Sequence, residues 1–440
     1  MRCRSTWKLR IGLWSVLAFG AVSMSCKKQD TGSSASSVEV PPLPPPAAAA
    51  PLDDEEARLV AGAVGGLAAA LHPRLSAGET NMAFSPTSIM LALAMTSGGA
   101  RGETAAEIDA LLRLGDDPAR VRALLGREQR LLLRAGGAEG VQLVVANRLF
   151  GERSFEFRPE YLEWTAAEFG APLEPVDFRG ASEAVRGRIN AWVAEQTHDR
   201  IPVILPPGSI GARTSLVLVN AIYFKGRWAL VFEESATQPR PFTLADGTQI
   251  ETPTMEAKDD FGYAARDGVQ LLELPYAGNE LSMVVVLPAA GEAPDPWLTA
   301  ANLEALGRLP VQEVEVRLPR FRIDPPEPRA IEEDLKALGM RRAFAAGRAE
   351  FEGIAVPPTP ETGLYISRVF HRAFVEVNEE GTEAAAATAV VMAPGGAPPM
   401  PREPLRFHAD RPFLFLIREI RTGLVLFVGR VGDPRPPAGG

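Results

Sequence analysis

Apolar residues recur at helical spacing over much of the chain after residue 52. The first such stretch, residues 53–71, carries one apolar face and begins with acidic residues, as the first turn of a helix favours. Its apolar positions are Leu59, Val60, Ala63, Val64, Leu67 and Leu71. Ser85 followed by Pro86 is typical of a helix start, and Gly98-Gly99 would end that helix. The same spacing predicts helices at residues 104–114, 119–134, 158–169, 182–197 and 330–338.

Strand-like patterns separate these helices. The pattern predicts strands at residues 82–84, 141–150, 214–224, 319–323, 370–377 and 389–391, with short strands and turns over residues 240–287. Residues 214–224 are almost continuously apolar, which indicates a sheet covered on both faces. There is no internal repeat and no interior linker, so we predict one large α+β domain.

Composition narrows the function. Of the 440 residues, 46% are hydrophobic and 23% are charged, as in an ordinary globular protein. The net charge of −9 argues against binding to nucleic acid or to anionic membrane surfaces in general. The chain has no Gly-x-Ser-x-Gly elbow, phosphate-binding loop or His-Glu-x-x-His motif, and its histidines are scattered without the spacing of metal ligands. We therefore expect neither an enzyme nor a site for a metal or cofactor.

The N-terminus has the pattern of a targeting segment. Basic residues precede the apolar run 11–22, which is too short for a comfortable transmembrane span. The sequence Ser23-Met24-Ser25-Cys26 resembles a permissive bacterial lipobox that lacks the usual Leu. We expect residues 1–25 to be a signal peptide and Cys26 to be the lipidated N-terminal residue. A plain secretory signal or an uncleaved anchor are the alternatives.

Cysteine use is consistent with a lipoprotein. Cys3 lies in the removable segment, so the mature chain would retain only Cys26 and could form no internal disulfide. No Asp follows Cys26, which favours an outer-membrane or cell-surface anchor over inner-membrane retention; otherwise the protein would be extracellular. Residues 26–52 are rich in Ser, Pro and Ala and predict a semi-stiff tether, and residues 435–440 predict a flexible tail.

The most informative stretch is residues 377–392, where small residues alternate with others. In an extended chain, one face would carry Thr382, Ala384, Ala386, Thr388, Val390 and Met392, while Glu383 would lie on the other face. The first face has no charge and no bulky residue at its start, so it could enter between two strands without burying a charge. Composition alone would also allow a surface loop or a short exposed helix. The prolines that follow, from Pro394 onward, indicate an exposed loop.

Two motifs in this region carry a family resemblance. The run Glu379-Glu380-Gly381-Thr382-Glu383-Ala384-Ala385-Ala386-Ala387-Thr388 resembles the reactive-loop hinge of inhibitory serpins. The run Phe407-His408-Ala409-Asp410-Arg411-Pro412-Phe413 resembles the C-terminal signature of that family. The resemblance implies a serpin domain at residues 53–434, with three β-sheets, eight or nine helices and an exposed reactive-centre loop at about residues 379–406.

The resemblance assigns one group of polar residues to the shutter beneath the centre of the main sheet. These residues are Ser85, Ser88, Asn220 and His371. They would form a hydrogen-bonded network that holds two central strands together yet lets them part. Without the resemblance, Ser85 would be interpreted as a helix cap and His371 as an ordinary satisfied core histidine.

A second group would lie at the upper end of the sheet, which is called the breach. Glu379 matches a carboxylate that pairs with a base on the neighbouring strand, Arg320 matches that base, and Trp228 would cover the same end. The alternative is that Arg320 and Arg322 belong to a solvated strand face.

The resemblance also implies a scissile bond in the loop. The usual spacing from Glu379 places it at Gly395–Gly396, but this loop is several residues longer than in many serpins. The alternative positions are therefore Met392, Ala393, Ala397, Met400 and Arg402. Gly or Ala would suggest elastase-like or subtilisin-like targets, Met chymotrypsin-like or elastase-like targets, and Arg trypsin-like targets.

The function that the resemblance implies is suicide inhibition of a serine protease. Elastase-, subtilisin- or chymotrypsin-like enzymes are the favoured partners, with a cysteine protease as a further option. We expect a monomer that contacts the membrane only through its lipid and does not bind nucleic acid. The first alternative is a non-inhibitory serpin acting as a chaperone or binding module, although such members usually carry bulky or charged hinge residues. The second is a lipoprotein enzyme or ligand-binding domain on another fold.

Overall fold

Helices and strands alternate along the part of the chain that the computed structural model describes, residues 49–135, 140–359, 362–382 and 404–436. All of these residues lie in one compact unit, Pro45–Gly440. The eight α-helices of the described residues are α1 Asp54–Leu75, α2 Pro86–Gly99, α3 Gly102–Leu111, α4 Pro118–Ala135, α5 Pro159–Phe169, α6 Phe178–Gln196, α7 Ala300–Ala305 and α8 Glu332–Ala337.

The strands form three sheets. Their bounds are β1 Met82–Phe84, β2 Val141–Glu152, β3 Glu156–Phe157, β4 Glu174–Val176, β5 Leu216–Arg227, β6 Gln238–Thr243, β7 Gln249–Arg266, β8 Val269–Pro275, β9 Leu281–Leu287, β10 Val311–Pro319, β11 Phe321–Ile323, β12 Arg329–Ala330, β13 Ala355–Val356, β14 Ile366–Asn378, β15 Gly381–Thr382, β16 Leu405–His408, β17 Phe413–Glu419 and β18 Val425–Val431. The predicted α+β class, with three sheets and eight or nine helices, is confirmed.

One seven-stranded sheet, here called the main sheet, has the order β11-β14-β15-β5-β2-β4, with β12 attached to β14. A nine-stranded sheet has the order β1-β18-β17-β9-β8-β7-β10-β16, with β6 attached to β7. The third sheet is the pair β13 and β3. In the main sheet, β14 and β5 are parallel neighbours, whereas β5 and β2 are antiparallel.

Strand β5 is apolar along most of its length because both faces of the main sheet are covered. Leu216, Leu218, Ile222 and Phe224 point into the larger hydrophobic core. The alternate residues Val217, Val219 and Ala221 pack in a second core with residues of α6. The prediction of a doubly covered strand is thus confirmed.

Helix starts follow local hydrogen-bonding chemistry. Asp53 caps α1 and forms a capping box with Glu56, so the predicted helix start is displaced by one residue. Ser85 caps α2, where its Oγ accepts from the backbone N–H of Ser88 at 3.0 Å, and Pro86 takes the first helical position as predicted.

Several predicted element bounds are wrong. The predicted helix 330–338 begins only at Glu332, because residues 329–330 pair with β14 instead. Residues 249–266 form one strand of 18 residues and not several short ones. The predicted strand 319–323 is interrupted at Arg320, whose backbone N–H donates to the carbonyl of Pro253 at 2.9 Å.

No helix among the described residues is long and apolar enough to span a bilayer. The predicted signal peptide at residues 1–25, Cys26 and most of the predicted tether lie outside the described residues. The strand expected at residues 389–391 and the tail at residues 437–440 also lie outside them.

Candidate functional site

At the upper end of the main sheet, two hinge residues lie between strands β14 and β5 and separate them. After β14 ends at Asn378, the chain turns through Glu379 and Glu380, and Gly381–Thr382 returns as β15 between β14 and β5. Thr382 is paired with Val377 of β14 and with Gly226 of β5, and both pairings are antiparallel. Below this point β14 and β5 pair directly with each other, from Ile366 to Phe374. The sheet is therefore split at its top and closed in its middle.

Only glycine fits at position 381. Its φ of +153° is one that L side chains rarely adopt. An added Cβ would lie 2.0 Å from the carbonyl oxygen of Gly226, which is part of the neighbouring strand backbone. The close approach allows the chain to reverse and enter the sheet within two residues.

Backbone hydrogen bonds fix the turn in place. The N–H of Trp228 donates to the carbonyl of Glu380 at 2.8 Å, and the N–H of Phe232 donates to the carbonyl of Glu379 at 2.9 Å. The indole Nε1 of Trp228 donates to the carbonyl of Asn378 at 3.0 Å. Trp228 therefore lies over the hinge, where the resemblance placed it, and holds three consecutive carbonyls together with Phe232.

The carboxylate of Glu379 is 3% exposed and is paired. Arg320 donates to Oε1 from Nε at 2.7 Å and from the guanidinium Nη2 at 2.6 Å, and the hydroxyl of Thr237 donates to the same oxygen. Burial raises the pKa of Glu379, but the hydrogen bonds from Arg320 and Thr237 outweigh it, so the pKa lies below its usual value. The interruption of the predicted strand at Arg320 is what frees this side chain for the pair.

The side chain of Thr382 is fully buried and has a polar partner. Its hydroxyl lies 2.7 Å from the phenol oxygen of Tyr276. Tyr276 stacks on Trp228 with ring centroids 4.6 Å apart, and burial raises the pKa of its phenol. The pocket that receives Thr382 is thus built for a small side chain with one hydroxyl.

A buried hydrogen-bond network lies under the centre of the same sheet. The backbone N–H of Ser85 donates to His371 Nε2 at 3.1 Å, so the ring proton sits on Nδ1 and is donated to Asn220 Oδ1. Asn220 Nδ2 then donates to Ser88 Oγ and to Asn147 Oδ1, each at 2.7 Å. Burial lowers the pKa of His371 to about 3, so the imidazole is neutral near pH 7 and this single proton arrangement holds.

This network ties three strands to the start of α2. His371 of β14 and Asn147 of β2 are both register partners of Asn220 in β5. Asn147 also donates from Nδ2 to the carbonyl of Ser88 at 3.0 Å. The bond between His371 and Asn220 joins the two strands that β15 separates higher up. The structure thus brings together all four residues that the resemblance assigned to the shutter.

Three residues of these sites were missed in the sequence. Asn147 is a polar residue inside the apolar strand β2, and a buried polar residue of this kind requires a partner, so its signal was present. Thr237 and Tyr276 lie in segments without a distinctive pattern, and their contacts with Glu379 and Thr382 come from distant parts of the chain.

The remaining predicted site residues lie outside the described residues. These are Glu383, Ala384, Ala385, Ala386, Ala387, Thr388, Gly395, Gly396 and Cys26. Among the described residues there is no cluster of three or more His, Cys, Asp or Glu side chains that could hold a metal ion. The described residues of the hinge and the shutter hold neighbouring strands of the main sheet together.

Comparisons with known proteins agree with this geometry. A family model described as serpin (serine protease inhibitor) matches residues 63–434. The chain is 41% identical to the leukocyte elastase inhibitor of Sus scrofa over 374 residues, with 80% of this chain and 93% of that protein covered. It is 39% identical to the leukocyte elastase inhibitor of Homo sapiens over the same length and coverage. It also resembles the native state of tengpin, a thermophilic serpin, with a TM-score of 0.76, 26% identity and coverage of 88% and 96% of the two chains.

Replacing Asn147 by Ala should weaken the shutter. The change leaves the hydroxyl proton of Ser88 and one amide proton of Asn220 without their acceptor in a buried site, a cost of about 1–3 kcal/mol. We expect the midpoint of thermal unfolding, followed by circular dichroism at one scan rate, to fall by several degrees. Gln142→Ala, on the exposed side of the same strand, should leave the midpoint nearly unchanged. Equal midpoints for both variants would contradict the network.

The pairing of Glu379 with Arg320 should show in a double-mutant cycle with Glu379→Gln and Arg320→Gln. At pH 7 we expect a coupling free energy of about 1 kcal/mol, since the carboxylate is buried and its hydrogen bonds with the guanidinium group join two charged partners. The folded-state pKa of Glu379 lies below its ordinary value of 4.5, so the stabilisation is complete above that pH and is lost as the pH falls through the folded-state pKa. Absence of coupling at pH 7 would refute the pair.

Proposed function

The chain belongs to the serpin family, and on this premise we propose that it is an inhibitory serpin that traps a serine protease as an acyl-enzyme. It is an inhibitor and not an enzyme. The observation that carries the proposal is the hinge, where Gly381–Thr382 already forms the first two residues of an additional strand between β14 and β5. The rest of that strand would come from the loop that follows.

The register of β15 supports a path for the loop. Thr382 pairs with Gly226 and Val377, so continuation of the same antiparallel register brings Thr388 opposite Asn220 and His371. Laterally paired residues point to the same face of a sheet, so the hydroxyl of Thr388 would enter between the two side chains whose bond has to break. Insertion would thus open the shutter and offer it a replacement partner.

The free energy for insertion is stored in the pairing of the main sheet. In the closed sheet, β14 and β5 share one parallel ladder. A fully inserted loop would replace it by two antiparallel ladders, so the sheet gains a complete row of backbone hydrogen bonds, and antiparallel pairing is slightly the more stable of the two kinds. The small residues that alternate from Thr382 to Thr388 would occupy the position between β14 and β5 without burying a charge.

These features give a mechanism in three steps. The catalytic serine of the protease attacks a peptide bond of the exposed loop. The hinge side of the loop becomes an ester of that serine, and the other side of the cut bond is released as an amine. The loop inserts as the new central strand and carries the attached protease along the sheet. The acyl-enzyme is distorted before water can hydrolyse the ester, so the complex persists.

An elastase-like protease is the target class that we propose. Two of the relatives are named leukocyte elastase inhibitors, and the spacing from Glu379 places the scissile bond at Gly395–Gly396, where a small residue suits an elastase-like or subtilisin-like pocket. Chymotrypsin-like enzymes and cysteine proteases remain alternatives, as do the bonds after Met392, Ala393, Ala397, Met400 and Arg402.

A non-inhibitory serpin is the second candidate function. It would use the same fold as a chaperone or binding module, without insertion of a cut loop. The Thr382 pocket argues against it, because the hinge residue that enters first is small and fully buried and has its own hydroxyl partner in Tyr276.

We also propose that the protein is a bacterial lipoprotein that acts as a monomer at the cell surface. The charged start, the apolar run 11–22 and Cys26 support a signal peptide at residues 1–25 with lipid on Cys26. The Ser-, Pro- and Ala-rich residues 26–52 would serve as a tether for the inhibitory domain at residues 53–434.

Incubation with elastase-, subtilisin-, chymotrypsin- and trypsin-like proteases should yield a conjugate that survives denaturing gel electrophoresis. Mass spectrometry of the released C-terminal peptide would identify the bond that is cut. The variant Thr382→Arg should be cleaved without forming the conjugate, because the site that buries Thr382 beside Tyr276 cannot accept a charged side chain and the strand then cannot extend from the hinge. Glu383→Arg, the same change on the opposite face, should still form it. Cleavage without a conjugate across the whole panel would contradict the proposed function.

Lipidation should depend on Cys26. In a bacterial host fed with radiolabelled palmitate, the unaltered chain should carry label and sediment with membranes. Cys26→Ala should lose the label and appear in the soluble fraction, because no acceptor thiol remains. Equal labelling of both chains would refute the lipoprotein proposal, while release of both chains without label would indicate a plain secretory signal.

A further inference from the structure

A cavity of about 470 Å³ lies among elements that do not take part in the hinge or the shutter. It is bounded by α4, by the turn between β8 and β9, and by the turn that follows β17. Pro51, just before α1, and Arg308, just after α7, complete its rim. A volume of this size is within the range of sites for small organic molecules.

A buried carboxylate in the wall of this cavity lacks a partner. Glu128 of α4 is 3% exposed, yet its Oε2 makes no hydrogen bond. Burial first, and then the charge of Glu419, raise the pKa of Glu128 to about 7, against the smaller opposing effects of Arg421 and Arg127. Buried carboxylates that serve the fold are almost always fully hydrogen-bonded, as Glu379 is, so a carboxylate with an unpartnered oxygen in the wall of a cavity indicates a place for a donor from outside.

The neighbouring charges do not provide that donor. Arg127 is paired with Glu56. Arg421 donates to the carbonyl of Leu52 at 3.2 Å, and its Nε lies 3.6 Å from Glu419. Both oxygens of Glu419 are thus engaged, since its Oε2 accepts from the backbone N–H and the hydroxyl of Thr422.

The charge of the cavity and its apolar walls indicate the chemical class of the ligand. When Glu128 is ionised, the three carboxylates of Glu128, Glu280 and Glu419 outnumber the two guanidinium groups of the lining, so the site has a negative balance. Leu131, Leu132, Leu281 and Ile420 provide apolar walls beside Glu128. The described residues offer no set of three carboxylate or imidazole ligands for a metal ion. A cation with N–H donors and a short hydrocarbon chain fits both features.

We propose that this cavity is a binding site for a primary alkylammonium group, with the carboxylate of Glu128 as its main acceptor and the leucine side chains against its alkyl chain. The group can belong to a free amine or to a lysine side chain of a peptide. The site is independent of protease inhibition and would bind its ligand whether or not the loop inserts.

Binding of the ammonium group requires ionised Glu128. With a pKa of about 7 the ionised fraction rises from about one-tenth at pH 6 to about nine-tenths at pH 8, so the affinity should rise about tenfold over this range. Glu419 and Glu280 favour the bound cation, while Arg421, Arg308 and Arg127 oppose it. Below pH 7 binding should release a proton from Glu128.

Isothermal titration calorimetry of the purified chain with n-butylammonium chloride tests the proposal. We expect saturable binding at one site, about tenfold weaker at pH 6 than at pH 8. Glu128→Gln, which keeps the shape and removes the charge, should abolish it, while Glu280→Gln at the exposed rim should weaken it only slightly. n-Butanol, which has the same chain without the charge, should not bind.

A second ligand separates the two sources of the ammonium group. Binding of Nα-acetyl-lysine methylamide as well as butylammonium would assign the site to lysine side chains, and binding of butylammonium alone would assign it to free amines. If Glu128→Gln does not fold, Leu131→Phe should narrow the cavity and weaken binding several-fold. Absence of saturable binding to the unaltered chain, equal binding by Glu128→Gln, or unchanged binding by Leu131→Phe would overturn the proposal.

Discussion

The structure depends on the parallel pairing of β14 with β5 directly beneath the point where β15 separates them. The same two strands are joined by backbone hydrogen bonds and by the His371–Asn220 bond in the middle, and are held apart at the top by Gly381–Thr382. One sheet thus contains both the start of an additional strand and the barrier to its completion. The barrier is local, since it consists of one parallel ladder and one buried side-chain network, and for this reason a single cut in the loop can release it.

The contacts around Gly381–Thr382 explain why this short strand does not extend further between β14 and β5 on its own. Glu379 is held by Arg320 and Thr237, while Trp228 and Phe232 bind the carbonyls of the turn. The loop that would supply the remaining residues of the strand must also reach β16, which is paired with β10 in the other large sheet. While the loop is intact, both of its ends are therefore anchored. After a cut, only the hinge end remains attached, and the small residues behind it can follow Thr382 into the sheet.

Much of the fold was visible in the sequence, because its signals are local. The N-cap Ser85, the apolar strand β5 and the helix spacing near residue 60 predict elements that the structure contains. The hinge was recognisable by its alternating small residues and by family resemblance. The predicted element bounds are wrong where residues far away in the chain determine the local conformation. Residues 329–330 pair with β14 and so are not part of the predicted helix. Arg320 interrupts the predicted strand at residues 319–323. Asn147, Thr237 and Tyr276 were missed for the same reason, since each contributes through residues far away in the chain.

In the proposed mechanism, the closed main sheet is a metastable state with a vacant strand position. The most direct measurement is thermal unfolding by circular dichroism before and after the loop is cut by a protease that does not remain attached. We expect a large rise in the unfolding temperature, because the cut loop would complete the main sheet and form backbone hydrogen bonds with both β14 and β5. An unfolding temperature that is unchanged or lower after a complete cut would contradict it, since the loop would then have no place in the sheet to occupy.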